Sequence, residues 1–356
     1  MQGTSMLQLL HRHATRPLGA ARRGSLRGLS ATAISATAIL VLGLALGLPR
    51  PGSAAGAEES YPSQNVKFVV AFPAGGPTDA LARILGQRLS EKWGQGIVIE
   101  NRGGAGGNIA ARQIAKAEPT GYAILVTTSA FAVNPSLTAN AGYVPESEFK
   151  TAIIAATTPN IIVASKTLPA ATLAELIAAA KREKLSYGMP GPGTTPHLSA
   201  ERIFKSLAKV DIPPVSFTGA APLLNALLGG HIPVASLAMS PAIALIKSGE
   251  IKALAVLSDK RVPSLPQVAT AIEQGFGDSE ESTWIGLFVP AATPLAVINK
   301  LNGDANAVLV EAAIAERLEQ LGMVAVGGSP ESSETYVRSE IKKWGEVVRS
   351  LGLKVD

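Results

Sequence analysis

Three short stretches gather the residues best suited to hold an anion. Pro73-Ala74-Gly75-Gly76-Pro77-Thr78-Asp79 closes an apolar run and opens a helical pattern. Gly191-Pro192-Gly193-Thr194-Thr195-Pro196-His197 and Phe217-Thr218-Gly219-Ala220-Ala221-Pro222 repeat the arrangement. Glycine lets backbone N–H groups turn into a concavity, and a helix N-terminus favours negative charge there. The same Thr and Pro residues are also ordinary helix starters. Each loop alone is therefore read two ways, as an anion cradle or as a plain helix cap. Asp79 is likewise either a ligand contact or the cap of its helix.

Other chemistries find little material. The chain has no cysteine, which removes thiolate nucleophiles, thiolate metal sites and iron–sulfur ligation. Beyond residue 57 the only histidines are His197 and His231. No G-x-S-x-G elbow accompanies them, and no cluster has metal-ligand spacing. His231 reads as an exposed turn residue, whereas His197 either lines a pocket or bonds locally. The run Asn101-Arg102-Gly103-Gly104-Ala105-Gly106-Gly107-Asn108 invites a nucleotide reading. However, the last glycine of G-x-G-x-x-G falls on Ile109, no acidic residue closes a following strand, and no Walker lysine is present. No cofactor or metal is expected. An exported hydrolase of carboxylate esters remains the alternative from another functional class.

Composition narrows the setting. The 356 residues are 47% hydrophobic and 17% charged, too apolar for a disordered chain. The net charge of +5 suggests an acidic partner until it is located. Residues 1–57 hold six arginines, no lysine and no acid, which leaves 26 basic against 27 acidic residues beyond them. Nucleic-acid binding therefore has no electrostatic footprint there. The same 57 residues read as an export signal. An arginine-rich start precedes an uncharged stretch from Gly28 to Pro49, and Ala55-Gly56-Ala57 fits a cleavage site. Arg22-Arg23-Gly24-Ser25-Leu26-Arg27 resembles a twin-arginine signal, with Ser25 where a bulky apolar residue is more usual. A Sec signal and an uncleaved anchor are the alternatives. The Ala, Ser and Gly content makes poor membrane filler and favours cleavage. A periplasmic, monomeric protein is expected.

From Tyr61 onward, short apolar runs alternate with longer amphipathic segments, the pattern of an α/β protein. Strands are expected at 67–72, 97–100, 123–127, 161–163, 186–188, 214–217, 234–237, 251–257 and 284–289. Helices are expected between them, the first running from Thr78 or Asp79 to about Trp93, the last pair over 294–321 and 330–350. About ten strands exceed one small sheet, so two lobes are expected. In open α/β sheets ligands bind beyond the strand C-termini, which is where the three glycine loops fall.

The ordered series of motifs resembles the substrate-binding proteins of tripartite tricarboxylate transporters, the Bug receptors. It runs from Tyr61-Pro62 through Phe72–Asp79, Val98-Ile99-Glu100-Asn101-Arg102, Pro119-Thr120-Gly121-Tyr122 and Asn134-Pro135-Ser136. It continues through Thr194-Thr195-Pro196-His197-Leu198, Leu227-Leu228-Gly229-Gly230, Ile246–Val256 and Thr293-Pro294. The resemblance implies a type II periplasmic binding fold with two lobes hinged by crossing strands. One lobe would hold 60–158 and 283–356, the other 159–282. It implies a small organic carboxylate as ligand, held by Phe72, Ala74, Gly75, Gly76, Thr78, Asp79, Ser129 and Ala130 of one lobe. Gly193, Thr194, Thr195, His197, Thr218 and Gly219 would serve from the other. Membrane transporter subunits, or a sensor kinase, would be the partners. Two departures bear on the ligand. Ser216-Phe217-Thr218-Gly219 lacks a lysine that is usual in the family, and Leu237-Ala238-Met239-Ser240-Pro241 lacks an acid. They imply a monocarboxylate or modest dicarboxylate without an amino group, its apolar or aromatic body packed near Phe72 and Met239.

Overall fold

The computed structural model describes residues 61–354 apart from 278 and 280, so the export signal expected at 1–57 lies outside the described residues. The first half of the chain forms β1 (Val66–Val70), α1 (Pro77–Trp93), β2 (Ile97–Asn101), α2 (Asn108–Ala115), β3 (Ala123–Thr128), α3 (Ala130–Leu137) and the single turn α4 (Pro145–Glu148). A 17-residue strand, β4 (Phe149–Ser165), follows, then α5 (Leu173–Ala180), β5 (Tyr187–Met189) and α6 (Thr195–Glu201), which continues as a π-helix through Leu207. Next come β6 (Pro214–Ser216), α7 (Ala220–Leu228), β7 (Val234–Ala238), α8 (Ile243–Lys247) and β8 (Ile251–Leu257). The chain closes with β9 (Ser282–Pro290), α9 (Leu295–Leu309), α10 (Ala312–Gln320), β10 (Val324–Ala325) and α11 (Pro330–Leu351).

The strands follow the order β2-β1-β3-β9-β4-β7-β5-β6, with β10 and β8 also paired to β4. β1 runs parallel to β2 and β3, and β5 runs parallel to β6 and β7. Parallel strands need crossover connections, and the amphipathic segments supply them as helices on the sheet faces. Alternation along the strands then divides the core. Val66, Phe68 and Val70 face one cluster with Leu81, Leu85 and Leu301, while Val69 and Ala71 face another with Phe131 and Phe288. In the other half, Ile162 and Ala164 join Tyr187 and Phe204, whereas Ile161 and Val163 join Leu223 and Leu237. The result is a two-lobed α/β structure with helices on both faces of each half-sheet. Among the described residues, no helix is long and apolar enough to cross a membrane.

β4 is longer than its sequence suggests. Thr157-Thr158-Pro159-Asn160 reads as a break, since proline cannot donate to a ladder. In the structure the proline stands where the ladder changes partner. β4 pairs with β9 from Phe149 to Pro159, then with β7 and β8 from Asn160 onward. Asn160 N–H donates to Glu281 O and Met239 N–H donates to Pro159 O, so pairing passes across the junction without a gap.

The helix α3 is likewise not expected from its sequence, because Asn134-Pro135-Ser136 is a breaker signal. Pro135 lies inside it and cannot donate to the carbonyl of Phe131 four residues earlier. The Tyr143 hydroxyl donates to that carbonyl instead, at 3.1 Å in the buried core. Removing this single oxygen leaves a buried acceptor unpaired. Tyr143→Phe should therefore destabilise the protein by about 1–3 kcal/mol and lower its melting temperature by several degrees. Thermal unfolding followed by circular dichroism checks this; an unchanged midpoint would show that another donor substitutes.

Candidate functional site

The C-terminal ends of the parallel strands meet in one cleft of about 390 Å³, part of it open to solvent. From the first half-sheet, Phe72, Gly76, Pro77, Thr78, Thr128 and Thr283 line it. Pro190, Thr194, Pro196, Ala220 and Ala238 line it from the second. The helices α1, α6 and α7 all begin at this cleft, with Gly76, Thr194 and Gly219 as N-caps, and none is capped by a side chain. By contrast, Thr172 caps α5 and Ser329 caps α11, and neither helix lines the cleft. Uncapped starts also occur at α9 and α10, so the distinguishing feature is convergence. First-turn N–H groups have no partner inside their own helix, and together they form a site for negative charge.

The lining carries no ionisable side chain. Its hydroxyls differ in what they have left to offer. Thr78 Oγ1 is buried and has no hydrogen-bond partner. Thr128 Oγ1 accepts from Ala130 N–H at 3.3 Å, which leaves its proton to give. Thr194 Oγ1 donates to Gly191 O at 2.8 Å. Thr283 Oγ1 donates to Asn160 Oδ1 at 2.7 Å, so its single proton is committed.

Asp79 shapes the first loop. α1 starts at Pro77, one or two residues earlier than the sequence suggests, and Gly76 is its cap. The buried Asp79 carboxylate reaches back to accept from Gly75 N–H at 3.0 Å. It also accepts from Arg83 Nε at 3.0 Å and from Asn101 Nδ2 at 3.1 Å. Asn101 donates in turn to Phe72 O. Burial alone would raise the Asp79 pKa, yet the hydrogen bonds from Arg83, Gly75 and Asn101 together hold it below the usual carboxylate value.

The second loop is fixed by close approach. Gly193 has φ +72°, and a methyl group there would strike the Asn134 side chain. Asn134 is held in place by donating to Gly106 O at 3.0 Å and Asn108 Oδ1 at 2.7 Å. Gly106, at φ +62°, has no room for a methyl against the Pro192 carbonyl. Gly106 thus serves contact with the Gly191–Gly193 loop. His197 lies behind that loop, its Nδ1 accepting from Gly193 N–H at 3.4 Å. Burial pushes its pKa down against the pull of Glu201 and keeps the ring neutral.

Of the residues expected from the sequence, the structure brings Phe72, Gly76, Thr78 and Thr194 onto the cleft lining. Ala74 and Gly75 lie exposed at its rim, and Asp79, Gly193 and His197 support it from behind. Ser129 and Thr195 are buried and bonded to each other at 3.1 Å, next to the buried Ala130. Gly219 abuts Pro73 of the first loop, and Thr218 is exposed. The expected packing near Met239 is corrected: it lies in the core with Leu237 and Ile243, and Ala238 presents the cleft surface. Sequence reasoning missed Pro77, Thr128, Pro190, Pro196, Ala220, Ala238 and Thr283 as lining. Position at a strand end was a usable signal for Thr128 and Pro190. Ala238, the last residue of β7, shared that signal, whereas Thr283 near the start of β9 had none.

The family model described as tripartite tricarboxylate transporter family receptor matches residues 81–353. The protein BugT of Bordetella pertussis is 30% identical over 313 residues, covering 87% of this chain and 94% of that protein. The solved structure of Rpa4515 from R. palustris with adipate is 35% identical, with a TM-score of 0.80, over 83% of this chain and 99% of that one. MatC from Rhodopseudomonas palustris with bound malate is 30% identical, with a TM-score of 0.75, over 81% of this chain and all of that one.

Asp79→Ala removes the brace of the first loop and should cost about 1–3 kcal/mol at neutral pH. A carboxyl with a depressed folded pKa stabilises above its unfolded pKa of about 3.9, and that contribution is lost as pH falls through the folded value. The gap in melting temperature between wild type and Asp79→Ala should therefore be constant at neutral pH and narrow below about pH 4. A gap that persists at pH 2–3 would assign the effect to packing rather than charge.

Proposed function

We propose that this chain, which belongs to the tripartite tricarboxylate transporter receptor family, is a periplasmic receptor for a small organic carboxylate. Residues 60–158 with 283–356 form one lobe and 159–282 the other, and the ligand sits between them. It is passed on to the membrane subunits of a tripartite transporter. The observation that carries this reading is the buried, unpartnered Thr78 hydroxyl at the start of α1, in a cleft where α7 also begins uncapped. A carboxylate oxygen there accepts from Thr78, from Thr128 and from first-turn N–H groups, and gains favourably oriented helix dipoles. The relatives with adipate and malate bind molecules of this class. The hydrolase alternative gains no support from this geometry, because His197 Nδ1 is taken up by Gly193 N–H.

The lining also bears on which carboxylate. Phe72, Pro77, Pro190, Pro196, Ala220 and Ala238 form apolar walls, and no cation is present to receive a second carboxylate. A monocarboxylate, or a short dicarboxylate whose far end reaches solvent, fits best. Burying a second charge without a partner would cost several kcal/mol.

A thermal-shift screen of small carboxylates, followed by calorimetry, tests this directly. A ligand at ~100 times its Kd adds about 2.7 kcal/mol of stability. Thr78→Val should then weaken binding roughly 10- to 150-fold, the worth of about 1.5–3 kcal/mol for a hydrogen bond to a charged group, and Thr78→Ser should restore most of it. Tight citrate or aspartate binding with none for apolar acids would sink the ligand class. A separate test concerns export: replacing Arg22 and Arg23 by Lys together should abolish periplasmic accumulation if the twin-arginine route is used, and leave it intact for Sec.

A further inference from the structure

Beneath the cleft, reaching its lining at Thr283, runs a chain of buried polar groups bonded to one another. Ser129 Oγ lies 3.1 Å from Thr195 Oγ1, and Thr195 Oγ1 lies 2.8 Å from Thr283 Oγ1. Thr283 donates to Asn160 Oδ1 at 2.7 Å, and Asn160 Nδ2 donates to Ser199 Oγ at 3.2 Å. Ser199 returns its proton to Thr195 O at 2.7 Å. All five side chains are buried.

One proton per hydroxyl gives this chain a single direction. Thr283 has committed its proton to Asn160, so Thr195 must be the donor to Thr283. Thr195 is then spent, so Ser129 must be the donor to Thr195. None of these three hydroxyls has a proton left for a ligand carboxylate. Their placement supplies a different role. Ser129 precedes α3 in the first lobe, Thr195 opens α6 in the second, and Thr283 and Asn160 stand on β9 and β4 where the chain crosses between lobes. One turn along α6, Leu198 packs with Val133, Leu137, Trp344 and Val348 of the first lobe. We propose that Ser129, Thr195, Thr283 and Asn160 are positioning residues that latch the lobes in the closed arrangement and aim the start of α6 at the cleft. Opening must break the Ser129–Thr195 link and leave both hydroxyls to water.

The meaning of the latch rests on the receptor reading, but its test needs no ligand, so failure of one is distinguishable from failure of the other. The chain has no cysteine, so two introduced thiols label cleanly. Gln87→Cys on α1 and Ala178→Cys on α5 are both exposed, one on each lobe. Spin labels there report the inter-lobe distance by double electron–electron resonance. Wild type should show a short-distance population. Thr195→Val should lower the closed-to-open ratio roughly tenfold, about 1.4 kcal/mol, and Thr195→Ser should restore it. Ser129→Ala should give a smaller loss, and adding it to Thr195→Val should change nothing further, because the link is already cut. Should Thr195→Val fail to fold, Ser129→Ala and Thr195→Ser carry the comparison, with circular dichroism confirming the fold. Superimposable distributions for variants and wild type, a wild type that shows only the long distance, or additive effects of the two substitutions would each overturn the latch.

Discussion

Between Pro159 and Asn160 the strand β4 exchanges one set of partners for another, and the rest of the molecule is arranged around that exchange. Its first eleven residues complete a sheet with β9, and its last six complete a second with β7 and β8. A strand shared in this way cannot move wholly with either lobe. It therefore acts as the hinge that keeps the strand ends of the two half-sheets facing each other. Proline is tolerated at the junction because the ladder with β9 ends there and no N–H is required.

That facing arrangement brings several helix starts into one small volume. A single helix N-terminus is weak evidence of anything, since helices commonly begin near polar loops. Three starts on one cleft are different, because their first-turn N–H groups lose water together and have no partners of their own. The cleft can hold negative charge with neutral donors alone. The lining itself contributes no buried charge, and the buried Asp79 carboxylate behind it is compensated by Arg83, Gly75 and Asn101.

The cleft loops were legible because glycine, proline and threonine punctuate strand-to-helix turns by well-understood local chemistry. Phe72, Gly76, Thr78 and Thr194 could be named from that punctuation. Ser129 and Thr195 have the same residue types at equivalent positions, yet Ser129 spends its proton on Thr195 and Thr195 spends its own on Thr283. The difference between a hydroxyl that offers its proton and one that has spent it depends on neighbours 66 and 88 residues away along the chain. The glycine run at 103–107 shows the same limit. Its composition suggests a phosphate loop, whereas in the structure Gly106 packs against the Pro192 carbonyl and the Asn134 side chain, and Gly103 packs against Pro73.

By itself the sequence determined the alternation of strands and helices, the two-lobed class of fold, the lack of any thiol, and the glycine-rich turns between strands and helices. These follow from hydrophobic periodicity, turn chemistry and residue inventory, all of which act over a few residues. Only the tertiary structure decided that β4 runs unbroken through Pro159, and that Tyr143 makes Pro135 tolerable inside α3. It also decided which threonines keep a free proton and that Met239 turns into the core while Ala238 faces the cleft. Each of these depends on a partner supplied by a distant segment, and hydrogen bonding and packing select that partner only once both lobes are assembled.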